Sequence, residues 1–331
     1  MIFVTGGTGF LGTHLLHQLV LRGERVRALR RSNSRVFVKP EFSEKIEWVA
    51  GDILDIPSME EAMEGCEHVY HCAAKVSFKQ KDREEIMKVN AEGTANVVNV
   101  ALEKNIRKLV YASSVAAIGR SPDATRINEN TEWQDSHLNS NYAISKYLAE
   151  REVWRGMAEG LSVAIVNPTI IIGDGNWRQG PPRFFLNVWR GMPAYTSGGT
   201  GFVGVQDVVH LMIRLMESDV QNERFILNSE DWSYKDFFFL IADLLGKKRP
   251  YINAAPWMTE IVWRLETVRS KFIPFPPLIS KETARIARAT FKYDAEKIRK
   301  ATGFEFTPVK TCIQDICRSF LEDVKAGRIK I

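Results

Sequence analysis

Thr5-Gly6-Gly7-Thr8-Gly9-Phe10-Leu11-Gly12 is the stretch on which the reading of the chain turns. It follows a short strand-like run, Ile2–Thr5, and leads into 10–22, where Leu11, Leu15 and Leu19 recur at helical spacing and Gly23 ends the pattern. Glycines between a strand and a helix permit a tight turn and let the backbone approach a pyrophosphate, while the helix start offers unpaired N–H groups to it. Two spacings coexist, Gly6, Gly9, Gly12 and Gly7, Gly9, Gly12. The strand before and the helix after make this a dinucleotide cradle rather than an ordinary turn.

Working outward, short β-branched runs alternate with helical patterns, which predicts a parallel sheet with crossover helices. Strands are expected at 25–29, 46–50, 68–72, 108–113 and 162–167, with long helices at 83–104 and 141–159. Ser58 and Glu61 read as a capping box opening a short helix. After Pro168 glycine and proline cluster at 173–182 and 191–204, and a helix at 208–218 with a strand at 224–227 could return to the sheet. From Trp232 onward the chain is mostly helical and rich in aromatics, including Phe237, Phe238, Phe239, Trp257 and Trp263, with Pro274, Pro276 and Pro277 as breaks.

The end of the second strand bears on cofactor choice. Binders of NAD place a carboxylate there for the ribose 2′-hydroxyl. Here Arg30 and Arg31 stand instead, followed by Ser32 and Arg35, which favours a 2′-phosphate and so NADP(H), with NAD(H) as the alternative. Asp52, after the third strand, is placed either to accept from an adenine amino group or to cap its own turn.

Tyr142 and Lys146 stand four apart near the start of a long helix, so they share a face about 6 Å apart. A phenol with an ordinary pKa near 10 is a poor proton donor at neutral pH, and an adjacent ammonium lowers that value. Tyr111-Ala-Ser-Ser114 ends the fifth strand at the carboxyl edge, where open α/β sheets bind ligands. Strand alternation allows only one of Ser113 and Ser114 to face a site there, and Ser114 is the candidate for stabilising oxyanion charge.

Composition excludes several classes. With 45 basic and 40 acidic residues the net charge of +5 is too small, and too dispersed, to argue for nucleic acid. Cys66, Cys72, Cys312 and Cys317 form no CxxC pair and the six histidines lack ligand spacing, so no metal is expected. The most apolar run, 237–245, is too short to span a bilayer. Met1 runs straight into a strand, leaving no signal peptide and suggesting a cytoplasmic protein.

At these residues the chain resembles the extended short-chain dehydrogenase/reductase superfamily and its NAD-dependent epimerase/dehydratase family. The likeness extends over nearly the whole length: TGGTGFLG at 5–12, GDILD at 51–55, HCAA at 71–74, VNAEGTANV at 89–97, YASS at 111–114, YAISK at 142–146 and NP at 167–168. VRALRR at 26–31 resembles the dihydroflavonol 4-reductase and 3β-hydroxysteroid dehydrogenase branch. The resemblance implies an α/β fold: a Rossmann, doubly wound parallel sheet of about seven strands with a small, mostly helical C-terminal substrate domain. On that pattern 1–170, completed by 201–228, binds the dinucleotide, and 171–200 with 229–331 binds substrate.

The resemblance further implies that Ser114, Tyr142 and Lys146 are catalytic. It implies cofactor contacts at Gly6, Thr8, Gly9, Phe10, Leu11 and Gly12, at Asp52 and Ile53, at Cys72, Ala73 and Ala74 on the adenosine side, and at Pro168 and Ile171 against the nicotinamide. Tyr142 and Lys146 would touch the cofactor too, and Asn90 matches a family asparagine that either contacts the cofactor or only fixes helix position. Sugar-nucleotide dehydratases of the superfamily carry an Asp–Glu pair after the serine motif, whereas Val115, Ala116 and Ala117 follow here. The expected activity is therefore NADP(H)-dependent reduction of a carbonyl, or oxidation of an alcohol, on a partly apolar small molecule. A nucleotide-sugar epimerase with bound NAD and a non-catalytic dinucleotide sensor are the alternatives. The resemblance also implies that the two long helices can pair across a homodimer, with the oligomeric state left open.

Overall fold

The computed structural model describes residues 1–119, 126–136, 139–255, 258 and 287–329. Trp257, Trp263, Pro274, Pro276 and Pro277 lie outside the described residues. The chain begins β1 (Ile2–Thr5), α1 (Phe10–Leu21), β2 (Val26–Arg30), α2 (Pro40–Ser43), β3 (Ile46–Ala50), α3 (Ile56–Met63) and β4 (His68–His71). A helical tract follows, α4 (Arg83–Met87) passing through a π-helical segment at Lys88–Glu92 into α5 (Gly93–Glu103). Then come β5 (Lys108–Ala112), α6 (Asn141–Ala158), β6 (Val163–Pro168), β7 (Ile170–Ile172), α7 (Arg183–Trp189), β8 (Ala194–Tyr195), β9 (Gly199–Gly204), α8 (Val205–Glu217) and β10 (Glu223–Leu227). The remainder carries β11 (Glu230–Ser233), α9 (Tyr234–Leu244), β12 (Ile252–Asn253), α10 (Glu296–Thr302) and α11 (Val309–Lys325).

Seven strands form one parallel sheet in the order β10-β6-β5-β4-β1-β2-β3, the Rossmann arrangement expected of the sequence. The strands alternate strictly between two buried faces. Val4, Ala28, Tyr70, Val110, Ala164 and Val166 join a core with α1 and α8, while Phe3, Leu29, Val69, Leu109, Tyr111, Val163 and Ile165 join one with α3, α5 and α6. Burial on both sides is what a parallel sheet requires, because its crossover helices cover both faces. A third core, built on Phe185, Phe202, Phe237, Ile241, Ile313 and Phe320, holds the second lobe with its small sheets β11-β9-β7 and β12-β8.

Some expectations shift. Strand β2 runs one residue further than expected, so Arg30 is its last residue. Ser58 and Glu61 are not a capping box: α3 begins at Ile56 after Asp55, and the Ser58 hydroxyl donates to the Asp55 carbonyl from inside the first turn. Pro57 explains the earlier start, since a proline suits the first helical positions, where its missing N–H costs nothing. The helix expected at 83–104 is continuous but contains the π segment.

Lys108 shows how a charge can be buried productively in this fold. It shares the α8 side of β5 with Val110, and its Nζ donates to the carbonyls of Leu215 (2.6 Å) and Ser218 (2.7 Å) at the end of α8, where the helix dipole favours a cation. Lys108→Met strands both acceptors, so the midpoint of urea unfolding should fall by the equivalent of about 1–3 kcal/mol. An unchanged midpoint would show that the ammonium does not hold α8 to the sheet.

Candidate active site

The cradle is built by close backbone approach. Gly6 has φ +72°, and a Cβ there would lie 2.5 Å from the Ala73 amide nitrogen, so the β1 turn can lie against the β4 turn only without a side chain. A Cβ on Gly12 would collide with the Gly6 carbonyl, which fixes α1 against the same turn. Gly9 is exposed, and its N–H donates to the Gly6 carbonyl at 2.9 Å. As the first cap of α1 it brings no side chain to the helix amides, which leaves them for an anion. Thr8, Phe10 and Leu11 are half-buried along this rim. The donors and the close backbone fit a dinucleotide pyrophosphate.

At the end of β2 the Arg30 guanidinium stands 5.9 Å over the Trp48 ring, and Arg31 is exposed beside it. Asp52 Oδ1 accepts the Leu54 N–H at 3.0 Å, so it holds its own turn. Ile53 is buried in the core against Gly93, where a Cβ would meet Ile53 Cδ1 at 2.5 Å; any adenine contact from Ile53 would come through its backbone.

Cys72 and Ala73 are half-buried after β4 and Ala74 is exposed. Burial pushes the Cys72 thiol up to about 12, so it stays protonated and is no nucleophile. Asn90, in the π segment, is 1% exposed. Its oxygen accepts the Lys75 N–H at 2.7 Å and its nitrogen donates to Lys75 O (3.0 Å) and Ser145 Oγ (2.9 Å). With those bonds it pins the 72–75 turn to α6. Pro168 ends β6 in the interior and Ile171 is half-buried on β7.

The serine question resolves by alternation. Ser113 has the parity of Tyr111 and turns inward, its hydroxyl donating to Glu150 Oε2 at 2.5 Å. Ser114 has the opposite parity and is half-exposed, its Oγ accepting the Ala116 N–H at 3.2 Å. Asn167 secures this turn, donating to Ser114 O (3.0 Å) and Glu150 Oε2 (2.7 Å). Arg224 Nη1 pairs with the other oxygen of Glu150 at 3.1 Å, so the buried carboxylate is compensated.

Helix α6 starts at Asn141 because the Ser140 hydroxyl accepts the Ala143 N–H, and it packs on the turn after Ser114. Tyr142, one residue in, is half-buried with its ring edge against Phe78 at 5.8 Å. Lys146 is 1% exposed, and its Nζ donates to Tyr111 Oη at 2.6 Å and to Ala112 O at 2.9 Å. Pairing the lysine with Tyr142 by spacing alone missed these partners. Tyr111 reads as one more apolar strand residue, and only the alternation that places it opposite α6 signals otherwise. The aromatic tract also reads differently in three dimensions: Phe237 and Phe238 are core residues, with Phe237 stacked on Phe202 at 4.5 Å.

A model of the NAD dependent epimerase/dehydratase family matches residues 2–228. The chain belongs to that family. Among curated proteins it is 32% identical over 330 residues to the putative dihydroflavonol 4-reductase of Synechocystis sp., covering 96% of this chain and 94% of the relative. It is 30% identical over 325 residues to sterol demethylase protein B of Methylococcus capsulatus, covering 96% and 98%. Among solved structures, that of gox2253 superposes with a TM-score of 0.83 at 29% identity, covering 100% of this chain and 99% of the other. Family membership makes the chain a nicotinamide-dinucleotide protein of the reductase and epimerase kind, and no helix among the described residues is long and apolar enough to cross a membrane.

Burial pushes the Lys146 amine down to about 7, the Glu150 charge opposing the shift. Unfolded, a lysine titrates near 10.4. Between those values the unfolded chain holds a proton that the folded one lacks, so stability rises with pH through that window. In cofactor-free protein the stability of the native sequence relative to Lys146→Met should therefore grow from pH 7 to pH 10. Urea unfolding at a series of pH values reads it, and a pH-independent difference would contradict a desolvated amine.

Proposed function

We propose that the protein is an NADP(H)-dependent oxidoreductase that reduces the carbonyl, or oxidises the alcohol, of a small, partly apolar molecule. What supports this reading is that α6, which carries Tyr142 and Lys146, packs on the turn after Ser114, with Lys146 bonded to the Ala112 carbonyl at the carboxyl end of β5. A bound nicotinamide supplies the hydride. Tyr142 gives a proton to the carbonyl oxygen, Ser114 donates a hydrogen bond to the same oxygen, and the Lys146 ammonium favours the phenolate left behind. The half-buried Phe78 ring against Tyr142, with the exposed Val76 two residues before it, offers the substrate an apolar edge. In this reading 171–200 and 229–331 close over that edge as the substrate domain.

Val115, Ala116 and Ala117 after the serine leave no carboxylates for a dehydration there. Relatives named as reductases favour hydride transfer to an external carbonyl. NADPH oxidation assayed against a panel of aldehydes and ketones tests the reading, and Tyr142→Phe should lower kcat at least 100-fold. Undiminished turnover in that variant would overturn the mechanism. Release of tightly held NAD on denaturation, with no turnover of added carbonyls, would instead favour an epimerase.

The arginines supply a separate test. Replacing Arg30 and Arg31 by Ala should raise KM for NADPH tenfold or more, on the order of one charged hydrogen bond, and leave KM for NADH nearly unchanged. Equal effects on the two cofactors would remove the 2′-phosphate role.

A further inference from the structure

A second hydrogen-bonded group lies behind Tyr111. The His71 ring stacks on the Tyr111 ring with centroids 5.2 Å apart. Thr94 Oγ1 lies 2.9 Å from His71 Nε2, and His71 Nδ1 lies 2.6 Å from Thr5 Oγ1. The Ala73 N–H reaches the same Thr5 oxygen at 3.3 Å. Lys146, Tyr111, Thr94, His71 and Thr5 are all buried, so water does not serve them. Register brings them together: Thr5 pairs with His71, His71 pairs with Tyr111, and all three face the side of the sheet covered by α5 and α6.

Burial, with the Lys146 charge beside it, pushes His71 down to about 3, so the imidazole is neutral and carries one N–H and one lone pair. Both of its nitrogens are bonded, to Thr94 and to Thr5, whose oxygen also receives the Ala73 amide. A charged Lys146 has no lone pair and must donate to Tyr111. Two of the three ammonium hydrogens go to Tyr111 and Ala112, which leaves one for the cleft.

We propose that Tyr111 is a positioning residue that holds the Lys146 ammonium in place, and that His71, held between Thr94 and Thr5 and stacked on the phenol ring, fixes that ring from behind through a contact anchored at the phosphate cradle. The use of that ammonium in proton transfer rests on the function proposed above; the positioning itself does not. The groups facing the amine are Glu150 one turn along α6, Cys72 and His71 at the end of β4, and Tyr111 on β5. Only Glu150 among them is charged when the thiol, imidazole and phenol are neutral, as burial makes them.

The test is direct titration of Lys146 in cofactor-free protein carrying 13C at lysine Cε, the resonance being assigned by its loss in Lys146→Met. Tyr111→Phe removes one acceptor of the charged amine while keeping the ring, so the Lys146 midpoint should fall by about one pH unit. Thr94→Val should move it in the same direction, and Thr94→Ser, which keeps the hydroxyl, should leave it at the native value. A native midpoint in Tyr111→Phe, or equal effects of Val and Ser at position 94, would overturn the proposal. If Tyr111→Phe does not fold, the Thr94 pair still decides. Because the titration needs no turnover, shifted midpoints in a protein inactive on every carbonyl would leave the positioning intact and sink only the oxidoreductase reading. Where turnover is found, the high-pH limb of kcat should shift down in Tyr111→Phe while KM for NADPH stays near native.

Discussion

Strands β1 and β4 pair at the point where the winding of the sheet changes direction, and the turns that leave them touch backbone to backbone. Gly6 packs on the Cys72–Ala73 peptide at a separation that no side chain permits. The first strand order, β1-β2-β3, grows one way from this contact, and β4-β5-β6-β10 grows the other. Open α/β sheets bind ligands in the crevice that such a reversal creates. Were the two turns held apart, the α1 amides and the end of β5 would no longer face one crevice.

Two buried charges four residues apart on α6 meet different fates beneath that crevice. Glu150 is neutralised by Arg224 and saturated by Ser113 and Asn167, an arrangement suited to holding β5, β6 and β10 under one helix. Among the described residues Lys146 has no comparably close counter-ion and is bonded instead to a phenol and a carbonyl. Its burial is left largely uncompensated, and the amine is driven down to about 7. A titrating amine is of little use to a scaffold and of much use to proton chemistry.

The fold was legible in the sequence because its signals are local. The glycine turn sits between a strand and a helix, and the runs that follow alternate with the period of crossover units. Of the candidate site, Ser114, Tyr142, Lys146 and the cradle glycines could be named from the sequence because motifs carry them. Thr5, His71, Thr94 and Tyr111 were not legible, because each looks like an ordinary member of a strand or helix and gains meaning only from register across three strands. Asn90 was noticed as a match to a family residue, but nothing local says that its amide points to the 72–75 turn. Phe237 and Phe238 of α9 are core while Phe239 is half-buried, a distinction that composition alone does not make.

The route of the chain between its lobes has a mechanical result. After β6 the polypeptide leaves the parallel sheet to build β7, α7 and β9, comes back with α8 to place β10, and departs again for β11 and α9. Segment 295–306 packs once more on the first core, through Ala295, Ile298 and Phe306, before α11 joins the other. The lobes are thus stitched by several covalent strands rather than joined by one tether. Any widening of the crevice must bend all the stitches together, which confines it to small rigid-body rocking, and a cut at any single crossing would leave the halves still sewn to each other.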